Sequence, residues 1–149
     1  MKKIISTENL AKIISKFKKK GKRVVLCHGV FDLLHIGHIN HFKEAKKLGD
    51  ILVVTVTQDK YVNKGPNRPI FSLNTRMESI AALKDIDYVA PNIYSNAIQL
   101  IKMLKPTGDA LHASQNRETK KLFLYTDVSG ILIIAIYSNN LNLIFLSGK

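Results

Sequence analysis

The chain has 149 residues, 46% of them hydrophobic and 23% charged, which suits one compact domain and is too short for two ordinary ones. High apolar content with only four prolines and eight glycines excludes a disordered chain, and a single cysteine, Cys27, excludes a disulfide scaffold. Lys and Arg number 23 against 11 Asp and Glu, a formal charge of +12, which attracts phosphates of any kind without choosing among them.

The first segment, Met1-Lys2-Lys3-Ile4-Ile5-Ser6, lacks the apolar stretch of a signal peptide. The longest apolar run, Ile131 to Tyr137, has seven residues, against the roughly 20 of a bilayer span. The expectation is a cytoplasmic protein with no membrane partner. Ser6 or Thr7 then caps a helix over 6–20, with Leu10, Ile13, Ile14 and Phe17 as its apolar stripe. Lys12, Lys16, Lys18, Lys19 and Lys20 fall mostly off that stripe, and Gly21 ends the helix. Residues 1–23 hold nine basic residues and one acid. No aromatic is set among the exposed lysines as a stacking platform, which argues for a solvated helix face over a nucleic-acid site.

Val24-Val25-Leu26-Cys27 reads as a buried parallel strand, followed by a turn at His28-Gly29. A helix follows from about Gly37 to Leu48, burying Ile39, Phe42 and Ala45. Ile51 to Thr57 is the clearest strand, β-branched almost throughout. A polar loop, Asn63 to Pro69, leads to a helix capped by Ser72 that carries Leu73, Met77, Ile80 and Ala81 on one face. Tyr88-Val89-Ala90 is a third strand, and Ser95 caps a last helix with Ile98, Ile101 and Leu104. The alternation over 6–106 predicts an α/β fold, a Rossmann-like parallel sheet with helices on both faces. Residues 107–149 form an atypical tail with two strands, and a hairpin about Ser138-Asn139-Asn140 is expected there.

Ligands of such sheets bind at the carboxyl ends of the strands. The first such end is Gly29-Val30-Phe31-Asp32-Leu33-Leu34-His35-Ile36-Gly37-His38. A helix start presents free N–H groups and partial positive charge. The three-residue spacing puts His35 and His38 on one side of the first turn, and Gly37 lets a phosphate or base approach the backbone. Imidazole N–H donors there stabilise charge developing on a phosphoryl group or on departing pyrophosphate. Surface decoration remains the competing reading for two lone histidines, and without a third ligand nearby they make no metal site.

The run Gly29-Val30-Phe31-Asp32-x-x-His35-x-Gly37-His38 resembles the signature of the cytidylyltransferase-like nucleotidyltransferases. Its His-Ile-Gly-His core also occurs in class I aminoacyl-tRNA synthetases, for which 149 residues are too few. The resemblance covers about residues 22–106. In Ala45 to Asp50, Lys64 to Pro69, Arg76-Met77, Ala81 to Leu83 and Asp87 to Val89 it looks closest to the adenylyltransferase domains of bacterial ADP-heptose synthases. It implies transfer of a nucleotidyl group from ATP or CTP to a sugar phosphate such as heptose 1-phosphate, with Mg²⁺ assisting and pyrophosphate leaving. A glycerol-3-phosphate-type cytidylyltransferase and a non-catalytic nucleotide-binding fragment are the alternatives.

The same resemblance implies that His35, His38 and Lys64 carry catalysis. Gly29, Val30, Phe31, Asp32, Gly37 and Arg76 would bind nucleotide or phosphate, with Val30 and Phe31 acting through backbone N–H groups. Asp32 as a turn cap, Phe31 as core and Arg76 paired with Glu78 or Asp50 are the plainer readings. Cys27 is expected as a buried thiol, and His28, His41 and His112 have no assigned role. A homodimer and a fused or cooperating sugar kinase also belong to the implied picture. From residue 107 nothing matches, as after a truncation or a change of reading frame, so half of a two-part nucleotide site is expected to be missing.

Overall fold

The computed structural model describes residues 2–95 and 97–104, together with the backbone of 125–126 and 132–136. Ser6 caps α1 (Thr7–Lys19), its hydroxyl accepting from the Asn9 N–H, and Gly21 leaves the helix at φ +71°. β1 is Val24–Gly29, so the strand runs through His28 and Gly29 where the sequence suggests a turn. α2 (Ile36–Lys47), β2 (Ile51–Thr57), a single 3-10 turn at Asp59–Tyr61, α3 (Leu73–Ala81), β3 (Tyr88–Asn92) and α4 (Ala97–Leu104) follow. Two short strands, β4 (Tyr125–Thr126) and β5 (Leu132–Ile136), complete the described elements.

β1, β2 and β3 are parallel, with Val24 opposite Ile51 and Val53 opposite Tyr88. Successive strand residues alternate between two cores because their side chains point to opposite faces. Val25, Cys27, Leu52, Val54, Val56 and Val89 pack under Phe42 and Ala45 of α2 and Met77 and Ile80 of α3. Val24, Leu26, Val53, Tyr88 and Ala90 pack under Leu10 and Ile14 of α1 and Ala97, Leu100 and Leu104 of α4. Helices thus cover both faces, and each fully buried aliphatic side chain contributes roughly 1.5–3 kcal/mol. The side chains of Ile98 and Ile101 lie outside the described residues.

One expectation changes: the periodicity puts Lys18 off the apolar stripe, yet it is buried, and burial pushes its ammonium down to about 8. The parallel sheet expected over 6–106 holds for β1, β2 and β3, and the tail extends it with two antiparallel strands, in the order β3-β2-β1-β5-β4. β5 runs antiparallel on the open side of β1, Val24 opposite Ile136, and β4 runs antiparallel beyond it. The apolar run of the tail therefore closes an edge that would otherwise present unpaired backbone groups. Its described hairpin partner is the preceding segment, β4. The turn at 138–140, the strand after it and His112 lie outside the described residues.

Candidate active site

The carboxyl end of β1 delivers the chain to the start of α2, whose first turn carries no acid. His35 is the cap residue, with extended backbone at φ −135° and ψ 173°. Its Nδ1 accepts from the Gly37 N–H at 3.1 Å, and the Nδ1 of His38 accepts from the His35 N–H at 3.3 Å. The two imidazoles stack with centroids 3.9 Å apart and planes at 39°. Because both Nδ1 atoms accept, each neutral ring carries its proton on Nε2. The first turn therefore sets both imidazoles, each with its proton on Nε2, beside a helix N-terminus, an arrangement suited to an anion. His35 is exposed, whereas His38 is buried against the edge of Phe31, 5.5 Å between centroids.

Two of the expected roles change in detail. The space left by the missing side chain of Gly37 is filled by the His35 ring, since a Cβ would lie 2.8 Å from its Cε1. That glycine serves the cap, where the sequence suggests room for a phosphate or base. Phe31 is core, and it also meets the His38 ring. Its ring is 3% exposed, packed on Phe42 at 5.3 Å and over Gly29, where a Cβ would lie 2.8 Å from Cζ. To place that ring, the Phe31 backbone adopts φ +49°, a conformation unfavourable for a side-chain-bearing residue.

Asp32 faces away from the role of a free phosphate-side group. Its carboxylate accepts from Arg68 Nη1 at 2.7 Å and from the Ile70 N–H at 2.7 Å. Burial pushes its pKa up, but the bonds from Arg68, Ile70 and Phe71 outweigh this and hold it below the usual carboxylate range. The pair ties the 58–71 loop to the β1–α2 connection. Lys64 lies on that loop, exposed, four residues before Arg68.

Arg76 departs furthest from expectation. It is 2% exposed and pairs with Asp59 at 2.6 Å, rather than with Glu78 or Asp50. Its guanidinium also donates to the carbonyls of Val30, Phe71 (3.0 Å) and Thr57 (2.8 Å). Four of the five N–H donors of this group are thus engaged with protein acceptors, which leaves it an internal strut rather than a phosphate contact.

A second buried polar group was not legible as a unit. His28 lies between two threonines of β2, Nδ1 at 3.0 Å from Thr55 Oγ1 and Nε2 at 3.4 Å from Thr57 Oγ1. Thr57 also reaches the Gly29 carbonyl at 3.3 Å. Burial pushes the imidazole down to about 4, so it is neutral near pH 7. The usable signal is Thr-x-Thr on a strand beside His-Gly, but only the strand register brings them together. Cys27 is fully buried, its thiol pushed up to about 12 by burial, and it offers no nucleophile.

A family profile described as cytidylyltransferase-like matches residues 26–127. The chain belongs to the cytidylyltransferase-like family. This is a family of nucleotidyltransferases, and the match takes in residues 107–127, which the sequence reading sets outside the resemblance. Within the family, the chain is 40% identical over 101 residues to the bifunctional protein HldE of Sulfurimonas denitrificans, covering 66% of this chain and 21% of that protein. It is 42% identical over 105 residues to HldE of Nitrosococcus oceani, covering 69% and 22%. The chain thus spans about a fifth of the length of these curated relatives. The crystal structure of the lipopolysaccharide core biosynthesis protein from Thermoplasma volcanium superposes with a TM-score of 0.52 at 39% identity, covering 57% of this chain and 70% of that one. Among the described residues no helix is long and apolar enough to cross a membrane.

Proposed function

We propose that this cytidylyltransferase-like domain transfers a nucleotidyl group from ATP to a sugar phosphate, heptose 1-phosphate or a close analogue, and releases pyrophosphate. The observation that carries the reading is the close imidazole pair of His35 and His38 at the start of α2, whose Nδ1 atoms both accept from backbone and so leave the ring protons on Nε2 as donors of the pair. A phosphate oxygen of the acceptor attacks the α-phosphorus, a new P–O bond forms, and the bond from that phosphorus to the bridging oxygen breaks. Negative charge develops on the leaving pyrophosphate, where the two donors stabilise it. No protein nucleophile takes part. Lys64 reaches the phosphates from a loop held in place by Asp32 and Arg68.

The similarity to the HldE proteins and to a lipopolysaccharide core biosynthesis protein supports a sugar phosphate acceptor, and the preference for ATP over CTP rests on the resemblance of the Lys64 to Pro69 loop to adenylyltransferase domains. The description of those relatives as bifunctional, and their greater length, support a sugar kinase activity working with this domain. A homodimer fits the same reading. Among the described residues no cluster of three or more His, Cys, Asp or Glu side chains converges to hold a metal ion. Both Asp32 oxygens are engaged as well. Mg²⁺, which the resemblance implies, would when bound neutralise charge on the triphosphate and on the departing pyrophosphate.

The test is pyrophosphate release from ATP or CTP with Mg²⁺ and a panel of sugar and polyol phosphates. Release that needs the acceptor, and falls about 10²–10³-fold in His35→Ala and in His38→Ala, supports the reading. Turnover only with CTP and glycerol 3-phosphate would transfer it to the cytidylyltransferase alternative. Nucleotide binding without turnover on any acceptor would reduce the domain to a binding module.

A further inference from the structure

We infer that Arg76 is a positioning residue that aims the Phe31 N–H at the phosphate chain by holding the Val30 carbonyl. The inference rests on the nucleotide reading above. A trans peptide carries its C=O and the following N–H in opposite directions. The Val30 carbonyl accepts from Nη1 of Arg76, which is buried beneath the loops. The N–H on the far side of that peptide, that of Phe31, therefore points away from the buried guanidinium. Among the described residues it donates to no acceptor. The Phe31 ring meets His38 edge-to-face with centroids 5.5 Å apart, and the β1–α2 connection that carries this amide runs directly into the helix start bearing the imidazole pair.

The strut is anchored on its other side. Nη2 donates to the Thr57 carbonyl at the end of β2 and to Asp59, and Nε donates to Phe71 ahead of α3. Asp59 is itself fixed by accepting from the Leu73 N–H at 3.3 Å. One guanidinium thus sets the relation between the β1 end, the β2 end and the loop bearing Lys64. Only a planar fork with several donors makes these bonds together, so lysine cannot replace it.

The test uses the whole chain and inorganic tripolyphosphate, followed by amide and side-chain NMR. In the wild type, tripolyphosphate should shift the Phe31 amide and the imidazoles of His35 and His38, while the Arg76 Nε–H signal stays put. Arg76→Lys should abolish the Phe31 response and weaken tripolyphosphate about tenfold, the loss of one charge-assisted bond, with the imidazole response retained. If Arg76→Lys does not fold, Asp59→Asn serves, and the Phe31 shift should shrink. A moving Arg76 Nε–H signal would show direct phosphate contact and overturn the inference. So would a Phe31 response unchanged in the variant that folds. Silence of Phe31, His35 and His38 together in the wild type would instead remove the nucleotide reading and this inference with it.

Discussion

The His35 imidazole occupies the place a side chain on Gly37 would need, its Cε1 and Nδ1 lying 2.8 and 2.9 Å from a Cβ built there. The ring is exposed and free to swing outward, so Gly37→Ala should fold. The lost cap of about 1 kcal/mol is offset by the better helix propensity of alanine. Activity should not survive as well, because the displaced ring no longer stacks on His38. We expect thermal stability within a few degrees of wild type and turnover reduced at least tenfold. A variant with full turnover would show that the stacked pair is dispensable.

Gly29 should behave in the opposite way. A Cβ there meets the Phe31 ring, which is wedged against Phe42 and His38 and has nowhere to move. Gly29→Ala should cost about 1–3 kcal/mol by overpacking, read from urea unfolding. An unchanged midpoint would contradict the packing described.

The Asp32–Arg68 pair should act on binding through the loop that bears Lys64. Asp32→Ala and Arg68→Ala are each expected to raise KM for the triphosphate several-fold, with a smaller effect on kcat. The double variant should be little worse than either single one, a coupling of about 1 kcal/mol. Additive effects would mean that the two residues work separately.

His28 makes stability depend on pH. Its folded pKa is pushed from about 6.5 down to about 4 by burial. Between those values the unfolded chain takes up a proton that the folded one refuses, so stability is complete above pH 6.5 and is lost as pH falls. The loss attributable to this group is roughly 2 kcal/mol at pH 5. His28→Gln removes it, so the advantage of wild type over the variant should shrink by that amount between pH 7 and pH 5. Parallel stability curves over that interval would rule the effect out.

Lys18 offers a stabilising substitution. Burial holds its ammonium down to about 8, so the charged form at pH 7 opposes folding, and stability rises as pH climbs from about 8 to 10.5. Lys18→Met keeps an unbranched stem and removes the charge. Discounted for screening near the surface, the gain at pH 7 should be about 1 kcal/mol and should fade by pH 10. A less stable variant at pH 7 would show that the ammonium contributes more through its contacts than its burial costs.

The local elements were legible because periodicity and caps are local. Ser6, Ser72 and the β-branched run Ile51 to Thr57 marked their helices and strand within a residue or two. The clustering of His35, Gly37 and His38 was legible because they lie within four residues and a strand end followed by a helix start fixes where they lie. Lys18 was not, because a helical stripe gives the direction of a side chain and not what packs over it.

By itself, the order of residues determined the α/β alternation, the place of the first helix turn beyond β1 and the chemistry of two imidazoles in it. Only the tertiary structure decided that the tail supplies antiparallel strands to the free side of β1, that Asp32 clamps a loop 36 residues away, and that Arg76 is an internal strut. The reason is physical. Three of the acceptors of Arg76 are main-chain carbonyls, which every residue carries and no motif records, and the strand edge taken by β5 is defined by backbone pairing. Such partners exist only once the chain has folded.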